Sequence, residues 1–279
     1  MAKKRTRKKK KSIFIQGAKV FFVSVGKLIW NIIKVPYYIY IGISKMNNRI
    51  VKVSKERKVL SKRENLRANY SNFNVLNTLV GDFESWEKKL HDSDSIIGII
   101  LGARGVGKSA FGLKTLENIY ARSHKKIFAM GFKEESLPLW IKSITSVKEI
   151  ENNSYVLIDE GGILFSSRKS MSNPNKLLSD LILIARHKNI NIIFISQNSS
   201  NLDVNILRQA DYLVLKPSSF LQKDFERKKI QELYGSLENH FKRYNEDKGL
   251  SYIHSDKFCG FVSNPLPSFW GRNLSKSFE

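Results

Sequence analysis

The chain has 279 residues, 42% of them hydrophobic, with 48 Lys/Arg against 25 Asp/Glu and a formal net charge of +23. That length accommodates one α/β domain of about 200 residues plus an extension. The single cysteine, Cys259, excludes an intrachain disulfide and points to a reducing compartment. Charge is unevenly placed: residues 1–70 hold 20 Lys/Arg and 2 Asp/Glu, and residues 71–279 hold 28 and 23. The head is a polycation that seeks phosphate, in nucleic acid or in anionic lipid head groups. The body is an ordinary, mildly basic domain.

Four stretches follow one another. Residues 1–12 carry eight basic residues and read as a disordered tail. Residues 13–45 are apolar with interspersed lysines. Lys19, Lys27 and Lys34 leave no uncharged run longer than Val35–Ser44, whereas a membrane-spanning helix needs about 20 mostly apolar residues. At about 100° per residue, Gln16, Lys19, Ser24, Lys27, Asn31 and Lys34 share one side of a helix. Phe14, Phe21, Phe22, Val25, Leu28, Ile29, Ile32 and Ile33 fall on the other. This pattern predicts an amphipathic helix lying in a bilayer interface, kinked or ended by Pro36, with Tyr37, Tyr38 and Tyr40 at head-group level. Packing of this helix on protein is the alternative. No small-residue secretory cleavage site is evident. Residues 46–70 form a basic linker, and residues 46–92 are polar and helical in part, ending near Trp86 and Leu90.

From Asp94 short apolar runs alternate with helical ones, the pattern of βαβ units and a parallel sheet over a domain spanning 71–279. Strands are expected at Ser95–Leu101, Lys126–Met130, Tyr155–Ile158, Asn191–Ile195 and Tyr212–Leu215, with a closing hairpin of Ser251–Ile253 and Gly260–Val262. Helices are expected at Lys108–Ser123, Leu137–Ile144, Asn175–His187 and Phe220–Gly235.

Two motifs carry chemistry. Gly102-Ala103-Arg104-Gly105-Val106-Gly107-Lys108-Ser109, with Ala110 following, matches G-x-x-x-x-G-K-[ST] and sits where an apolar strand turns into a helix. The glycines let backbone N–H groups wrap phosphate, and the helix adds its positive N-terminal end. Lys108 would reach the β- and γ-phosphates of ATP, and Ser109 would place its hydroxyl on Mg²⁺. Tyr155–Ile158 then ends in Asp159-Glu160, delivering two carboxylates to the edge of the sheet where open α/β folds bind ligands. Asp159 would hold Mg²⁺ through its water, and Glu160 would orient and deprotonate the attacking water. The pair points to hydrolysis rather than a slow switch. Gln197, after Asn191–Ile195, can sense the γ-phosphate; a capping role is its plain alternative. Arg186 precedes that strand and can reach a neighbouring subunit's site as a charge-neutralising finger, with Arg208 as the rival candidate.

A Walker A motif, Asp-Glu, an Arg-bearing helix end and a strand ending in Gln resemble the FtsK–HerA superfamily of DNA-pumping ATPases. Within it the sequence resembles viral genome-packaging ATPases and zonula-occludens-toxin-like (Zot-like) proteins, over roughly Ile96–Leu215. The discriminating run is Leu183-Ile184-Ala185-Arg186-His187-Lys188-Asn189-Ile190 through Phe194-Ile195-Ser196-Gln197. The tail Leu266-Pro267-Ser268-Phe269-Trp270, with Leu274-Ser275, is similar to the closing segment of archaeal Zot-like ATPases. The resemblance implies a ring, a hexamer, threading double-stranded DNA.

The expected fold is a RecA-like P-loop NTPase, α/β with a mainly parallel sheet flanked by helices, preceded by a basic helical extension. The expected function is ATP hydrolysis driving DNA movement, packaging a viral or mobile-element genome. Ser166–Lys176, with Arg168, Lys169 and Lys176, is the candidate DNA-touching loop. Residues 1–45 would meet an anionic membrane surface or a capsid protein, placing the protein at the inner face of the host membrane or in the virion. A Zot-like virus-export ATPase, a HerA-like DNA-processing ATPase and a non-motor nucleotide-binding scaffold are the alternatives.

Overall fold

The computed structural model describes residues 2–159, 174–271 and 274. Contacts divide the chain into two units, 1–60 and 61–279.

The first unit is helical. Helix α1 runs Ala2–Glu64. It includes residues 2–12, which the charge run led us to expect as disordered, and most of the expected linker 46–70. Lys and Arg are good helix formers, and no glycine or proline falls between residues 43 and 64 to stop the helix. It also continues past Pro36 rather than ending there. Phe21, Phe22, Leu28, Trp30 and Tyr37 are exposed along it. Among the described residues no helix is long and apolar enough to cross a membrane.

The second unit is built on a nine-stranded sheet in the order β1-β9-β8-β7-β2-β6-β5-β3-β4. Its strands are β1 Asn74–Gly81, β2 Ile97–Leu101, β3 Lys126–Met130, β4 Ile141–Ile144, β5 Ser154–Asp159, β6 Ile190–Ser196, β7 Tyr212–Leu215, β8 Leu250–Ser255 and β9 Phe258–Ser263. Strands β4, β3, β5, β6, β2 and β7 are parallel neighbours. The hairpin β8–β9 and then β1 extend the sheet antiparallel beyond β7.

Central strands are apolar throughout because both faces are covered. On one face Ile100, Leu157 and Ile193 pack with Phe111, Leu113 and Leu116 of α3 (Lys108–Ser123), and with Trp86 and Leu90 of α2 (Phe83–Asp92). On the other, Ile99, Val156 and Phe194 pack with Leu181 and Ala185 of α4 (Pro174–Lys188) and Ile206 of α5 (Val204–Gln209). Two further helices, α6 (Phe220–Phe225) and α7 (Lys228–Arg243), follow β7, and Tyr234 and Leu237 of α7 join this second core.

Three expectations need correction. Leu137–Ile144 is not helical: its end is the edge strand β4, with Ile141 and Ile144 buried and Lys142 exposed. Apolar residues at helical spacing fit the sequence, but pairing with β3 wins. Phe220–Gly235 is two helices, not one. The chain breaks at Glu226-Arg227 because both residues bind the turn at 199–202. Glu226 accepts from the Ser199 N–H at 2.8 Å, and the Arg227 guanidinium donates to the carbonyls of Ser199 (3.1 Å) and Leu202 (2.7 Å). Strand β1 was missed, since most of its positions are exposed and its pairing with β9 is interrupted twice, leaving no clean alternation.

Candidate functional site

Strand β2 is buried at all five positions and delivers the chain to the loop 102–107. Gly102 has φ 150°, and a Cβ there would lie 2.5 Å from Cβ of Lys216, so no side chain fits. Gly105 and Gly107 have φ 79° and 86°, left-handed values that favour glycine. Gly107 is the N-cap of α3 and makes no side-chain cap bond, so the first turn presents its N–H groups and positive end toward the loop. Gly112, one turn on, lets α3 lie close to β5: a Cβ there would be 2.7 Å from Leu157 Cδ1.

Lys108 is buried, and its ammonium donates to the carbonyls of Gly102 (2.8 Å) and Ala103 (2.7 Å), folded across the loop it belongs to. The Ser109 hydroxyl donates to Asp159 Oδ2 at 3.3 Å. A hydroxyl and a carboxylate converging beside a backbone cradle are hard oxygen donors of the kind Mg²⁺ takes, so the residues present fit that ion.

Sheet order completes the site. Strand β6 lies between β2 and β5, with Ser196 in register with Leu101 and Ile195 in register with Asp159. Gln197 therefore leaves the sheet between the loop and Asp159. It is exposed, and its carbonyl accepts from the Gln222 side chain.

Arg186 and Arg208 are not brought to this place. Both are exposed, at the C-terminal ends of α4 and α5, where the chain enters β6 and β7 from the opposite edge of the sheet. Strand β6 covers seven residues, Ile190–Ser196, about 20 Å at roughly 3.3 Å per residue. An arginine side chain cannot span that, so Arg186 cannot reach the loop of its own subunit. Arg208 instead borders a cavity of about 920 Å³ with Asp211, Arg227, Lys228 and Asp256. Glu160, and residues 166–173 of the expected DNA-touching loop, lie outside the described residues, as does the Lys176 side chain.

One residue of the site escaped sequence reasoning. Lys216 follows β7 directly and is fully buried beneath the loop. Its N–H donates to Leu101 O at 2.8 Å, and the carbonyl of the next residue, Pro217, accepts from Ala103 N–H at 3.1 Å. Its ammonium donates to Gly249 O (2.9 Å) and Asn264 Oδ1 (2.8 Å), tying the loop's floor to the ends of the closing hairpin. Burial lowers its pKa to about 7. In a chain with 48 Lys/Arg, the only signal was a lysine placed straight after an apolar strand.

The C-terminal tail also contributes. Within α3, Lys114 and Glu117 form a buried ion pair at 2.8 Å. Lys114 donates to Asn69 O at 2.8 Å, and Glu117 accepts from Asn69 N–H at 3.0 Å and from the backbone and hydroxyl of Ser268. Phe269 packs edge-on against Trp140, at 5.4 Å between ring centroids. The Leu266–Trp270 segment singled out in the sequence thus clamps the helix that begins at Lys108.

Residues 98–215 match the family described as Zonular occludens toxin (Zot). No curated protein matches the chain. Among solved structures, the chain is similar to the B204 DNA-packaging ATPase of Sulfolobus Turreted Icosahedral Virus, at 15% identity and a TM-score of 0.43, covering 63% of this chain and 99% of that one. B204 of Sulfolobus turreted icosahedral virus 2 in complex with ATP-gammaS gives 11% identity and 0.43, covering 63% and 100%. EssC (ATPases 2 and 3) of Geobacillus thermodenitrificans gives 12% and 0.40, covering 77% and 50%. The match over 98–215 spans the loop, Asp159 and the end of β6, the same stretch that carries the resemblance read from the sequence.

Proposed function

We propose that this chain, a Zot-like P-loop ATPase, is the motor subunit of an oligomeric ring that moves double-stranded DNA, packaging a viral or mobile-element genome. The observation that carries the reading is the convergence of Ser109 and Asp159 at 3.3 Å, beside a glycine loop at a helix N-terminus, with the end of β6 lying between strands β2 and β5. Gly102, Ala103, Arg104, Gly105, Val106, Gly107 and Ala110 wrap the ATP phosphates with backbone N–H groups. Lys108 turns from the loop carbonyls to the β- and γ-phosphates, a charge-assisted contact. Ser109 and Asp159 hold Mg²⁺, which neutralises phosphate charge when bound. Glu160 takes a proton from the attacking water, and Gln197 orients that water against the γ-phosphate. Arg186 serves the neighbouring subunit's site. Its distance from its own loop supports action in trans.

The exposed aromatic and basic surface of α1 favours a second location for the same motor. There, residues 1–45 hold it on an anionic membrane surface or a capsid protein, as an export ATPase would require.

Steady-state ATP hydrolysis with and without duplex DNA tests the proposal. Duplex DNA should stimulate turnover several-fold, and the protein should strip a triplex-forming strand from the duplex in an ATP-dependent way. Lys108→Ala should lose nucleotide affinity and turnover together, and Glu160→Gln should bind ATP and not hydrolyse it. Hydrolysis indifferent to DNA would remove the translocase reading. Wild-type turnover in Glu160→Gln would remove Glu160 as the base.

A further inference from the structure

Helix α1 carries a second pattern, which begins within the last part of the 13–45 stretch and runs beyond it. From residue 39, apolar side chains recur at spacings of four and three: Ile39, Ile43, Met46, Ile50, Val53 and, after Arg57, Leu60. All six apolar members are exposed, between 45% and 59% of their surface. The repeat is seven residues long, with Ile43, Ile50 and Arg57 at a positions and Ile39, Met46, Val53 and Leu60 at d positions. Phe22 and Val25 fall in the same register two to three heptads earlier and are also exposed.

Such a repeat has a specific physical meaning. An α-helix turns once per 3.6 residues, so a stripe that keeps a period of 3.5 stays on one side only if the helix supercoils around a partner of the same period. A helix lying on a bilayer needs a broad apolar face instead. Across 43–60 the stripe is two positions in seven, and the positions flanking it are Asn47, Arg49, Ser54 and Glu56. Val51 and Val59 are the apolar residues off the stripe. The segment runs three heptads over about 33 Å at 1.5 Å per residue, long enough for a stable seam.

Charge identifies the partner. Arg57 breaks the apolar seam, and a charge in a seam needs an acidic neighbour. No acidic residue precedes Glu56 anywhere in the chain. In a parallel, in-register pair, the side chain at a packs beside the g residue just before it on the facing helix. That residue is Glu56, so Arg57 of each copy meets Glu56 of the other. An antiparallel pairing centred on the segment puts Arg57 against residues near 43, where there is no carboxylate. The intrachain contact of Glu56 with Lys52, 3.9 Å and largely exposed, is too weak to compete.

We propose that residues 39–60 of α1 form a parallel, in-register coiled coil with the same segment of a second copy of this chain. The seam assembles the motor subunits through their N-terminal helices, independently of nucleotide and of any contact between ATPase bodies. It does not depend on DNA being the substrate.

Cysteine crosslinking of the full-length chain tests this directly. In a Cys259→Ser background, one thiol is placed at a d position (Met46→Cys) and another on the opposite side of the helix (Asn48→Cys). Both are oxidised mildly without nucleotide or lipid. Met46→Cys should form an interchain disulfide at least about tenfold faster than Asn48→Cys. Adding Ile43→Asp and Ile50→Asp should abolish that disulfide and leave the thermal unfolding of the ATPase body unchanged, which shows that the body is folded. Equal rates at the two positions would overturn the proposal. So would no disulfide at position 46 while its thiol still reacts with a maleimide. Crosslinking at 46 that appears only when anionic phospholipid vesicles are added would overturn it too, in favour of a lipid-bound face.

Discussion

Lys114 and Glu117 lie on α3, the helix that opens at the phosphate loop, with 1% and 0% of their side chains exposed. We predict that Lys114→Met destabilises the body strongly. The methionine fills similar volume, so the loss is electrostatic: it strands a carboxylate in the core with only neutral donors, the Asn69 N–H and the Ser268 N–H and hydroxyl. Breaking one side of a buried pair costs about 3–5 kcal/mol. For a body of this size each kcal/mol moves Tm by about 2–4 °C, so the expected fall is about 6–20 °C. Removing the second charge tests the cause. In Lys114→Met/Glu117→Gln the amide oxygen still accepts from Asn69 and Ser268, the uncompensated charge is gone, and at least half of the lost Tm should return. Thermal unfolding followed by circular dichroism gives both numbers. Limited proteolysis should show the segments at 66–71 and 266–270 cut faster in the single variant, because the pair and its ligands hold both against α3. A single variant within about 3 °C of wild type would refute the reasoning. So would a double variant less stable than the single, which would show that packing rather than charge governs the site.

Four further outcomes follow from the same geometry. Burial lowers the Lys216 pKa to about 7 from an ordinary 10.5, so between those values the unfolded chain binds the proton and the folded chain does not. Stability should therefore rise with pH across about 7–10 by up to about 1.4 kcal/mol per unit from this group, and urea unfolding of Lys216→Met should show a correspondingly flatter profile. Mixed rings of Arg186→Ala and Lys108→Ala subunits should recover part of the turnover each lacks alone, and failure in rings shown to be mixed would favour Arg208 as the finger. Gly112→Leu should be strongly destabilising by thermal melt, because even a Cβ there meets Leu157 at 2.7 Å. The full-length protein should float with anionic liposomes and keep part of that binding at high salt, with Phe22→Ser/Leu28→Ser removing only the salt-resistant part.

The phosphate loop and the apolar strand ending in Asp159 were legible in the sequence because both are local. A glycine pattern between a strand and a helix dictates backbone conformation within eight residues, and a central strand buried on both faces is apolar at every position. Helix α3 and strands β3 and β7 were legible for the same reason, to the residue. The tertiary structure decided what depends on neighbours far along the chain. Strand β4 carries apolar residues at helical spacing, and its conformation is set by hydrogen bonds to β3. The break at Glu226-Arg227 is set by the backbone groups of a turn some 25 residues away. The separation of Arg186 and Arg208 from the loop follows from strand direction, since a residue that precedes a parallel strand lies at the edge away from the ligand. Lys216 acquires its lowered pKa from burial under the protein packed over it, which a lysine after an apolar strand does not announce. Only the sheet order, β2-β6-β5, brings the end of β6 between the strand that leads into the loop and the strand that ends in Asp159, because that placement is made by hydrogen bonds between strands nearly a hundred residues apart.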